Sequence, residues 1–561
     1  MRSFLSGNES IAYGSHEAGV RYASSYPGTP STEILETLSK FPEIETEWAV
    51  NEKVALECVI GASLSGVRSL YASKHVGLNI AADPLMTLSY TGVNGGLLIV
   101  SADDPNMHSS QNEQDNRWYA LSAKIPLFEP SDSQEAYELT KLLFDLSEKF
   151  DTPILLRITT RLSHSKCVVN IEGRRTEFKK LYKKDSQKYA AIPAYARKMK
   201  IRMMERLDKL RDFSDNFSYN KIEMRSKKLG IITCGVSYNY VREAFEDASI
   251  LKITMSFPLP RKKIEQFCHS VDKVYVVEEV DPFIGEQIKA MGLNVQTISG
   301  SFEMSVEKLK KEILNEEIPK SIDVPARPPV LCPGCPHRGV FYILHKLKLT
   351  VLGDIGCYSL AVLPPLRSMD FILCMGAGVN ALHAFSKLND KKAVAVIGDS
   401  TFYHSGITGV LNSVYNKGTD TIIILDNMTT AMTGHQPHPG TGKDAKGRET
   451  QKIPIEDIVE ACGVEHIRIV NPFDLEELKE TISEEIERDD ISVIIARAPC
   501  ALIVEKKEPL YINAEKCTGC NVCLSLGCPA IQKKGDKMDI ISSLCNGCNL
   551  CKQVCPFGAI E

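Results

Sequence analysis

The chain has 561 residues, of which 43% are hydrophobic and 24% are charged, and its formal net charge is −5. This length predicts about three to four domains of an ordinary globular protein. No apolar run reaches the roughly 18 residues that a membrane span needs, and the small net charge gives no argument for nucleic-acid binding.

The first block, residues 1–170, alternates short apolar segments with helical patterns. Residues 96–101 and 153–157 are predicted to be buried strands of a parallel sheet. Residues 1–9 lack the pattern of a signal peptide. The chain also holds 18 cysteines. Many thiols without a secretion signal predict a reducing cytoplasm, and the cysteine-rich tail described below also indicates an anaerobic setting.

Residues 171–227 are expected to form a basic helical connector. Between positions 174 and 211 there are 14 Lys or Arg residues and 4 Asp or Glu residues. A solvated face and an anion-binding surface are both compatible with this charge. Apolar strands return at 229–233 and 274–278, so residues 228–323 are predicted to form a further α/β domain, followed by a proline-rich linker at 325–329.

The next domain, expected at 324–505, places polar residues directly after two apolar strands. Gly398 and Asp399 follow the strand at 393–397, and Asn427 follows the strand at 421–425. Neighbouring strand ends are where ligands bind in parallel sheets. Oxygen atoms of Asp399, Asn427 and the backbone of Thr429 suit Mg²⁺ that also binds a phosphate. The alternative is an ordinary βαβ unit with Asp399 as a helix cap.

The tail, residues 506–561, carries eight cysteines in two runs, each with a proline after its fourth cysteine. This spacing is typical of bacterial ferredoxins with two [4Fe–4S] clusters, in which the fourth cysteine of each run binds the other cluster. The expected ligand sets are Cys517, Cys520, Cys523 and Cys555 for one cluster, and Cys528, Cys545, Cys548 and Cys551 for the other. The first run is one residue longer than the pattern. Zinc sites and disulfides are the alternatives. Eight cysteines in triplets fit zinc poorly, and disulfide frameworks belong to secreted chains.

The segment from Gly398 to Asn427 resembles the thiamine diphosphate motif, in which Gly-Asp-Gly precedes Asn-Asn by some 25 to 30 residues. Both metal-ligand positions match, whereas Ser400 and Asp426 depart from the pattern. The resemblance implies that Gly398, Asp399, Ser400, Asn427 and Thr429 hold thiamine diphosphate and Mg²⁺.

Four further segments extend the resemblance over essentially the whole chain, and the order of the blocks agrees as well. They are residues 6–9 (SGNE), 26–33 (YPGTPSTE), 103–115 (DDPNMHSSQNEQD) and 157–161 (RITTR). They resemble the 2-oxoacid:ferredoxin oxidoreductases, and most specifically the alpha subunits of the indolepyruvate type. The implied fold is α/β, with pyrimidine-binding and diphosphate-binding parallel-sheet domains, a transketolase C-terminal-like domain at 228–323 and a small α+β ferredoxin domain.

The same resemblance assigns roles near the CPGCPH element at 332–337. In some of these enzymes a third [4Fe–4S] cluster lies beside thiamine diphosphate, and the matching residues here are Cys332, Cys335, Cys357 and, by position, Cys500. His337 would lie close to the cofactor diphosphate. The alternative is that Cys332, Cys335 and His337 only shape a turn.

Thiamine chemistry also needs a carboxyl group that hydrogen-bonds the aminopyrimidine, and burial keeps such a carboxyl able to share a proton. Glu52 opens an apolar helix and matches this activating position, whereas Glu47 and Glu57 are expected to be solvated. The family places Thr29 against the substrate carboxylate and the loop 108–111 near the active site. Alternatively, the prolines around Thr29 merely shape a turn, and Arg157 and Arg161 bind either an anion such as coenzyme A or surface carboxylates.

The resemblance therefore implies an enzyme subunit that catalyses the coenzyme A-dependent oxidative decarboxylation of aryl pyruvates, such as indolepyruvate, with reduction of ferredoxin. It implies a smaller beta subunit that supplies a missing gamma domain, and a heterotetramer. The alternatives are a sibling enzyme for pyruvate, 2-oxoglutarate or branched-chain oxoacids, a non-redox thiamine enzyme, and an electron-transfer scaffold without catalysis. The eight-cysteine tail argues against the non-redox enzyme, and Glu52, Asp399 and Asn427 argue against the scaffold.

Overall fold

The computed structural model describes residues 1–173, 179–300, 302–318, 324, 325, 327–389 and 391–561. The chain divides into two compact units, Met1–Ile322 and Asp323–Glu561, hereafter unit 1 and unit 2. Within the described ranges, no helix combines the length and the apolar character that crossing a membrane requires.

Unit 1 is built from short parallel strands that alternate with helices. Its strands are β1 Arg2–Ser6, β2 Val20–Ser25, β3 Glu45–Trp48, β4 Arg68–Lys74, β5 Leu97–Asp103, β6 Leu127–Phe128, β7 Ile154–Thr159, β8 Lys166–Asn170, β9 Lys221–Glu223, β10 Gly230–Cys234, β11 Ser249–Ile253, β12 Met255–Phe257, β13 Val274–Val277 and β14 Gln296–Ile298. Its helices are α1 Gly7–Glu17, α2 Thr32–Leu38, α3 Glu52–Leu64, α4 His75–Ile80, α5 Ala82–Thr91, α6 Arg117–Ala123, α7 Ser133–Phe150, α8 Thr160–His164, α9 Ser186–Tyr189, α10 Pro193–Asn216, α11 Ser237–Ala244, α12 Arg261–Ser270, α13 Phe283–Ala290 and α14 Val306–Leu314.

The larger sheet of unit 1 has the strand order β12-β6-β7-β5-β4-β2-β3. All neighbours pair in parallel except β12, which is antiparallel to β6. Strands β5 and β7 are buried along their whole length, as expected for a sheet covered by helices on both faces. Because parallel strands end at one edge, the loops after β2, β3, β4 and β5 lie along the same edge of this sheet.

The second sheet of unit 1 has the order β14-β13-β10-β11-β9. Two strands cross the domain boundaries expected from the sequence. Strand β9 of the second sheet comes from the expected connector. Strand β12 comes from the expected domain 228–323 but joins the larger sheet. Buried residues of both sheets, among them Leu127 and Ile232, share one hydrophobic core. The expected division of residues 1–323 into three parts stays a prediction.

The basic connector contains the long helix α10. Its apolar residues Met199, Met203, Leu207 and Leu210 are buried, and they recur every three or four residues along one helix face. Most of the charged residues of α10 are exposed to solvent. This favours the interpretation of the basic stretch as a solvated face. Residues 174–178 of the connector and Ala326 of the predicted linker lie outside the described residues.

Unit 2 contains a second parallel sheet and the cysteine-rich tail. Its strands are β15 Thr350–Leu352, β16 Ala393–Gly398, β17 Thr421–Asp426, β18 His466–Val470, β19 Ser492–Arg497, β20 Ile531–Lys534 and β21 Lys537–Ile540. Its helices are α15 His337–Leu347, α16 Ala377–Leu388, α17 Asp399–Thr401, α18 Ile407–Tyr415, α19 Ile455–Ala461, α20 Leu475–Glu485 and α21 Leu550–Val554. A π-helical turn, Phe402–Gly406, joins α17 to α18.

The main sheet of unit 2 is fully parallel, with the order β15-β16-β17-β19-β18, and β20 and β21 form a small antiparallel hairpin in the tail. The tail does not have a separate core. Buried residues of the sheet domain, such as Val340 and Phe341, belong to the same hydrophobic cluster as Leu526, Ile540 and Ile560 of the tail. The ferredoxin-like segment is therefore packed into unit 2 rather than attached by a free linker.

Candidate active site

The strand ends of unit 2 bring the predicted magnesium ligands together. Gly398 at the end of β16 pairs with Leu425 in β17, so Asp399 and Asn427 leave neighbouring strands at the same edge. Both side chains are buried. The backbone N–H of Thr429 donates to Oδ2 of Asp399 at 3.3 Å and to Oδ1 of Asn427 at 3.2 Å. One carboxylate and one amide oxygen thus converge on one backbone segment, a donor set that suits Mg²⁺ with a diphosphate.

A buried tyrosine supports the turn that presents Asp399. The backbone N–H of Gly398 donates to the hydroxyl of Tyr358 at 2.9 Å, and this hydroxyl is also hydrogen-bonded to the carboxyl of Asp354. Burial raises the pKa of Asp354 to about 8. A Cβ atom at position 398 would lie 2.8 Å from the Tyr358 ring, so only glycine allows this close approach.

The histidine His438, which was not predicted, contacts the carboxylate of Asp399. Its Nε2 lies 3.1 Å from Oδ2 of Asp399, and both side chains are buried. The Tyr403 ring packs against it with the ring centroids 5.3 Å apart. The only sequence signal was a histidine- and proline-rich loop at 435–439 shortly after Asn427. Such a contact orients a metal-binding carboxylate, as partners behind metal ligands generally do.

The predicted residue His337 also belongs to this site. It is the first residue of α15, it is buried, and its Nε2 lies 3.3 Å from Nδ2 of Asn427. Burial lowers the pKa of His337 to about 4, although the carboxylate of Asp399 opposes this effect. The imidazole is therefore neutral at physiological pH and accepts the N–H of Asn427.

The two departures from the thiamine diphosphate motif have structural explanations. The carboxylate of Asp426 accepts the Nε–H of Arg497 at 2.6 Å, and Arg497 also pairs with Glu456. The hydroxyl of Thr430 donates to Oγ of Ser400 at 3.0 Å, and the backbone N–H of Ser400 donates to Oδ1 of Asp399 at 2.8 Å. Asp426 is thus engaged with Arg497, and Ser400 supports the turn around Asp399.

The four thiols of the predicted third cluster lie beside this site. Burial raises the pKa of Cys335 to about 12, and the neighbouring thiols of Cys357 and Cys332 raise it further. The pKa of Cys357 is raised to about 11 by burial, with contributions from Cys500 and Cys332. The backbone N–H of Cys500 donates to the carbonyl of Asn427 at 3.0 Å. This bond joins the chain at one of the four cysteines to the loop of the strand-end site.

The tail arranges its eight cysteines in the two predicted sets. Cys517, Cys520, Cys523 and Cys555 line one cavity together with apolar side chains such as Ile512 and Phe557. In the second set, burial raises the pKa of Cys551 to about 12, and nearby Cys548, Cys528 and Cys545 add to this shift. Cys528 therefore lies with the second run despite the extra residue before it.

Within the described parts of the chain, no group of three or more His, Cys, Asp or Glu side chains converges closely enough to hold a single metal ion. The four thiolates of a [4Fe–4S] cluster bind four different irons. Protein-bound Mg²⁺ uses few carboxylates and completes its shell with other oxygens.

Unit 1 places Glu52 at the first position of helix α3, where it is only 6% exposed. The side chain of the preceding Asn51 caps the helix by accepting the N–H of Val54 at 2.9 Å. A Cβ atom at Gly77 would lie 2.6 Å from Oε1 of Glu52, so the carboxyl packs directly on the backbone of α4. Glu47 and Glu57 are exposed, as expected.

The turn that contains Thr29 lies at the same sheet edge, because it follows β2. The hydroxyl of Ser109 donates to the carbonyl of Thr29 at 3.4 Å, and Nζ of Lys74 donates to the carbonyl of Ser109 at 2.8 Å. Burial lowers the pKa of Lys74 to about 8, with Asp104 opposing this shift. Lys74 was not predicted, although it ends β4, and a cation beside Thr29 suits a carboxylate ligand.

The loop 108–111 and the two arginines show different degrees of burial. His108 and Gln111 are exposed. Arg157 is buried and pairs with Asp103 and Glu129, each at 2.6 Å. It therefore forms neither of the two arrangements considered from the sequence, because its partners are buried carboxylates. Arg161 is half exposed and pairs with Glu303 at 2.8 Å, which favours the surface ion pair.

The predicted residues thus form one group in each unit. Thr29 and Glu52 lie along the edge of the larger sheet of unit 1. Asp399, Asn427 and His337 form the strand-end site of unit 2, together with Gly398, Ser400 and Thr429. All twelve predicted cluster cysteines also belong to unit 2.

Three segments of the chain match known protein families. Residues 13–226 match the family described as pyruvate flavodoxin/ferredoxin oxidoreductase, thiamine diphosphate-binding. Residues 354–496 match the C-terminal binding domain of thiamine pyrophosphate enzymes. Residues 538–561 match the 4Fe-4S binding domain. The chain therefore contains a thiamine diphosphate-binding domain and an iron–sulfur domain.

Relatives with curated names match the chain from end to end. It is 42% identical to the indolepyruvate oxidoreductase subunit IorA of Archaeoglobus fulgidus and 40% identical to that of Thermococcus kodakarensis, with 100% of this chain and 97% of each relative covered. The 2-oxoglutarate synthase subunit KorA of Methanothermobacter thermautotrophicus is 29% identical over 30% of this chain and 48% of its own length. Among solved structures, a 2-oxoglutarate:ferredoxin oxidoreductase from Magnetococcus marinus aligns at 18% identity with a TM-score of 0.47, covering 56% of this chain and 65% of its own.

Proposed function

Because the chain belongs to the IorA family of indolepyruvate oxidoreductase subunits, we propose that it catalyses the oxidative decarboxylation of aryl pyruvates to arylacetyl-CoA and CO₂. It is an oxidoreductase of the thiamine diphosphate-dependent 2-oxoacid:ferredoxin type. When bound, thiamine diphosphate accepts the electron pair released on decarboxylation, and iron–sulfur clusters pass electrons singly to ferredoxin.

One observation carries this proposal. The strand-end oxygens of Asp399 and Asn427 lie in the same unit as the Cys332 element, and Cys500 is hydrogen-bonded to the backbone of Asn427. A diphosphate-binding magnesium site directly beside a set of buried and half-buried thiols is what a thiamine enzyme that delivers electrons to a cluster requires. A non-redox thiamine enzyme has no use for such thiols.

In this proposal the side chains of Asp399 and Asn427 and the backbone of Thr429 hold Mg²⁺, with Gly398 and Ser400 forming the turn beside the diphosphate. His438 orients the Asp399 carboxylate, and His337 orients the Asn427 amide by accepting its N–H. Both histidines are buried, so they exclude water from the ligands and hold them in one geometry.

Glu52 would share a proton with N1′ of the cofactor pyrimidine. Its burial at the start of α3 supports this role, because a carboxyl removed from water shares its proton with the cofactor rather than with solvent. Thr29 would bind the substrate carboxylate, supported by the nearby Lys74 ammonium. Glu52 and Thr29 both lie at the edge of the unit 1 sheet where ligands bind in α/β folds.

For the clusters, we assign Cys517, Cys520, Cys523 and Cys555 to one [4Fe–4S] site and Cys528, Cys545, Cys548 and Cys551 to a second. Cys332, Cys335, Cys357 and Cys500 form a third site beside thiamine diphosphate. The cavity lined by the first set supports this assignment, because it brings all four thiols together among apolar side chains.

The proposed assembly includes a smaller beta subunit that carries the gamma domain, in a cytoplasmic heterotetramer that uses ferredoxin and coenzyme A. The names of the relatives, which are subunits, support a partner chain. The five-part division at 170, 227, 323 and 505 is retained as a proposal for the functional segments.

The proposal is tested by anaerobic co-expression with the smaller subunit, followed by thiamine diphosphate and iron analysis and ferredoxin reduction with a panel of oxoacids. We expect one thiamine diphosphate and about 12 iron atoms per chain, four for each cluster, and fastest reduction with indolepyruvate or phenylpyruvate. A preference for pyruvate, 2-oxoglutarate or branched-chain oxoacids would instead establish the sibling function. No oxoacid-dependent reduction at all would contradict the enzyme.

A further inference from the structure

Arg338 is the second residue of helix α15, and its guanidinium is buried in unit 2, with 2% of the residue exposed. Its Nη2–H donates to the carbonyls of Leu331 at 2.6 Å and Cys332 at 3.0 Å. Its Nη1–H donates to the carbonyl of Leu526 at 2.6 Å. One side chain thus joins the CPGC turn to the segment that leads to Cys528.

This cation has no anionic partner among the residues that the structure describes. It forms no ion pair with a carboxylate there, and its buried Nε–H has no hydrogen-bond acceptor. Of the other deeply buried arginines, Arg117 pairs with two carboxylates and Arg157 with three. A buried charge without a counter-charge is destabilising because nothing compensates for its lost hydration, so we expect an anion at Arg338.

The carbonyl contacts of Arg338 lie at two of the proposed cluster sites. Its Nη2–H donates to the carbonyl of Cys332, a residue of one site, at 3.0 Å. Its Nη1–H donates to the carbonyl of Leu526, two residues before Cys528 of the other site. A Cβ atom at Gly334 would lie 2.7 Å from Cβ of Asn546, so the CPGC turn packs directly on the loop between Cys545 and Cys548.

We propose that Arg338 is the shared counter-ion of two adjacent clusters, the one at Cys332, Cys335, Cys357 and Cys500 and the one at Cys528, Cys545, Cys548 and Cys551. This inference rests on the proposed function, because it requires clusters at both sites. Four thiolates leave a cluster with a net negative charge, and reduction adds one more negative charge. A buried cation therefore stabilises the reduced form of both clusters and raises their reduction potentials.

The test compares Arg338→Gln, which removes the charge, with Arg338→Lys, which keeps the charge but cannot make the same three carbonyl contacts. Lys552→Gln is the matched control, because Lys552 follows Cys551 directly but is exposed to solvent. Each variant is purified anaerobically with the smaller subunit, and the clusters are titrated by EPR-monitored potentiometry alongside iron analysis.

We expect two of the three midpoint potentials to become more negative in Arg338→Gln, to stay near the original values in Arg338→Lys, and to be unchanged in Lys552→Gln. Loss of iron in the Gln variant alone would also support the counter-ion role. Intact clusters with unchanged potentials in Arg338→Gln would overturn it. Loss of iron in both Arg338 variants would overturn it too, because Arg338 would then act by holding the three carbonyls.

The unmodified protein separates this inference from the proposed function. If it contains about 8 iron atoms per chain rather than 12, the third cluster is absent and the part of the proposed function that assigns this cluster fails. If it shows three clusters whose potentials do not depend on Arg338, only the counter-ion inference fails.

Discussion

Nε2 of His337 lies 3.3 Å from Nδ2 of Asn427, which joins the start of helix α15 to the end of strand β17. The low pKa of His337, about 4, keeps the imidazole neutral, so it accepts the amide N–H. This contact sets the orientation of the amide and turns Oδ1 of Asn427 toward Thr429, where Oδ1 accepts the backbone N–H at 3.2 Å. The same oxygen is the atom that we propose as a magnesium ligand.

We expect Glu52→Gln to lower oxoacid-dependent ferredoxin reduction by about 100-fold or more, because an amide cannot transfer the proton that a carboxyl shares with the cofactor. Steady-state assays of the complex with the smaller subunit measure this effect. Thiamine diphosphate and iron contents should stay unchanged. Glu57→Gln, an exposed change on the same helix, is the control and should keep full activity. Full activity of Glu52→Gln would refute the assignment.

His438→Ala is expected to weaken Mg²⁺-dependent thiamine diphosphate binding by about 10- to 100-fold, because the Asp399 carboxylate loses its orienting partner. Isothermal titration of the cofactor-depleted protein measures the affinity. The control is His466→Ala, which removes a similar histidine–carboxylate contact, 2.9 Å to Asp490, at the opposite end of a strand of the same sheet. Equal affinities in both variants would show that His438 does not support the site.

Asp354 should make unit 2 less stable as the pH rises. Its pKa in the folded protein is about 8, above the value near 3.9 of an unfolded chain, because burial disfavours the carboxylate. Between these values the folded state holds a proton that the unfolded state has lost, so this contribution to stability is full below about pH 4 and disappears by about pH 8.

Asp354→Asn should therefore flatten the decline of the thermal midpoint between pH 5 and pH 8, since an amide does not ionise. Circular dichroism melts at several pH values measure the slope. Asp370→Asn, in an exposed residue of the same unit, should leave the slope as it is. If Asp354→Asn and the unmodified protein have parallel slopes, the raised pKa is refuted.

Cys500→Ser is expected to remove about 4 iron atoms per chain and one cluster signal in EPR spectra, because serine replaces the fourth thiolate of the third cluster. Cys462→Ser is the matched control, since Cys462 is a half-buried thiol of the same unit outside the three sets. If both variants keep the same iron content and spectra, Cys500 is not a ligand and the third cluster needs another donor.

The family and the fold class could be predicted because their signals are local. Closely spaced cysteines, glycine before Asp399 at a strand end and the turn around Thr29 are short patterns whose chemistry depends on spacing along the chain. The comparisons confirmed the predicted family and the α/β architecture. The site residues and the domain boundaries are still predictions, although the structure brings most of the former together.

Other features could not be read from the sequence because they depend on contacts between distant segments. His438 meets Asp399 across 39 residues, and Arg338 reaches Leu526 across 188. Strand β12 joins the larger sheet although its chain neighbours belong to the second sheet. No periodicity or spacing predicts such contacts, since they follow from how the layers pack.

The amino-acid sequence alone indicates the kinds of candidate ligand: thiolates in two ferredoxin-like runs, oxygens at two strand ends and a carboxyl at the start of an apolar helix. The tertiary structure sets which of these groups are neighbours. It packed the tail into the core of unit 2 and placed the CPGC turn against the loop at Asn546. Chemical identity belongs to each residue, whereas burial, charge compensation and the contacts of Arg338 with the carbonyls of Cys332 and Leu526 arise only when the core closes around them.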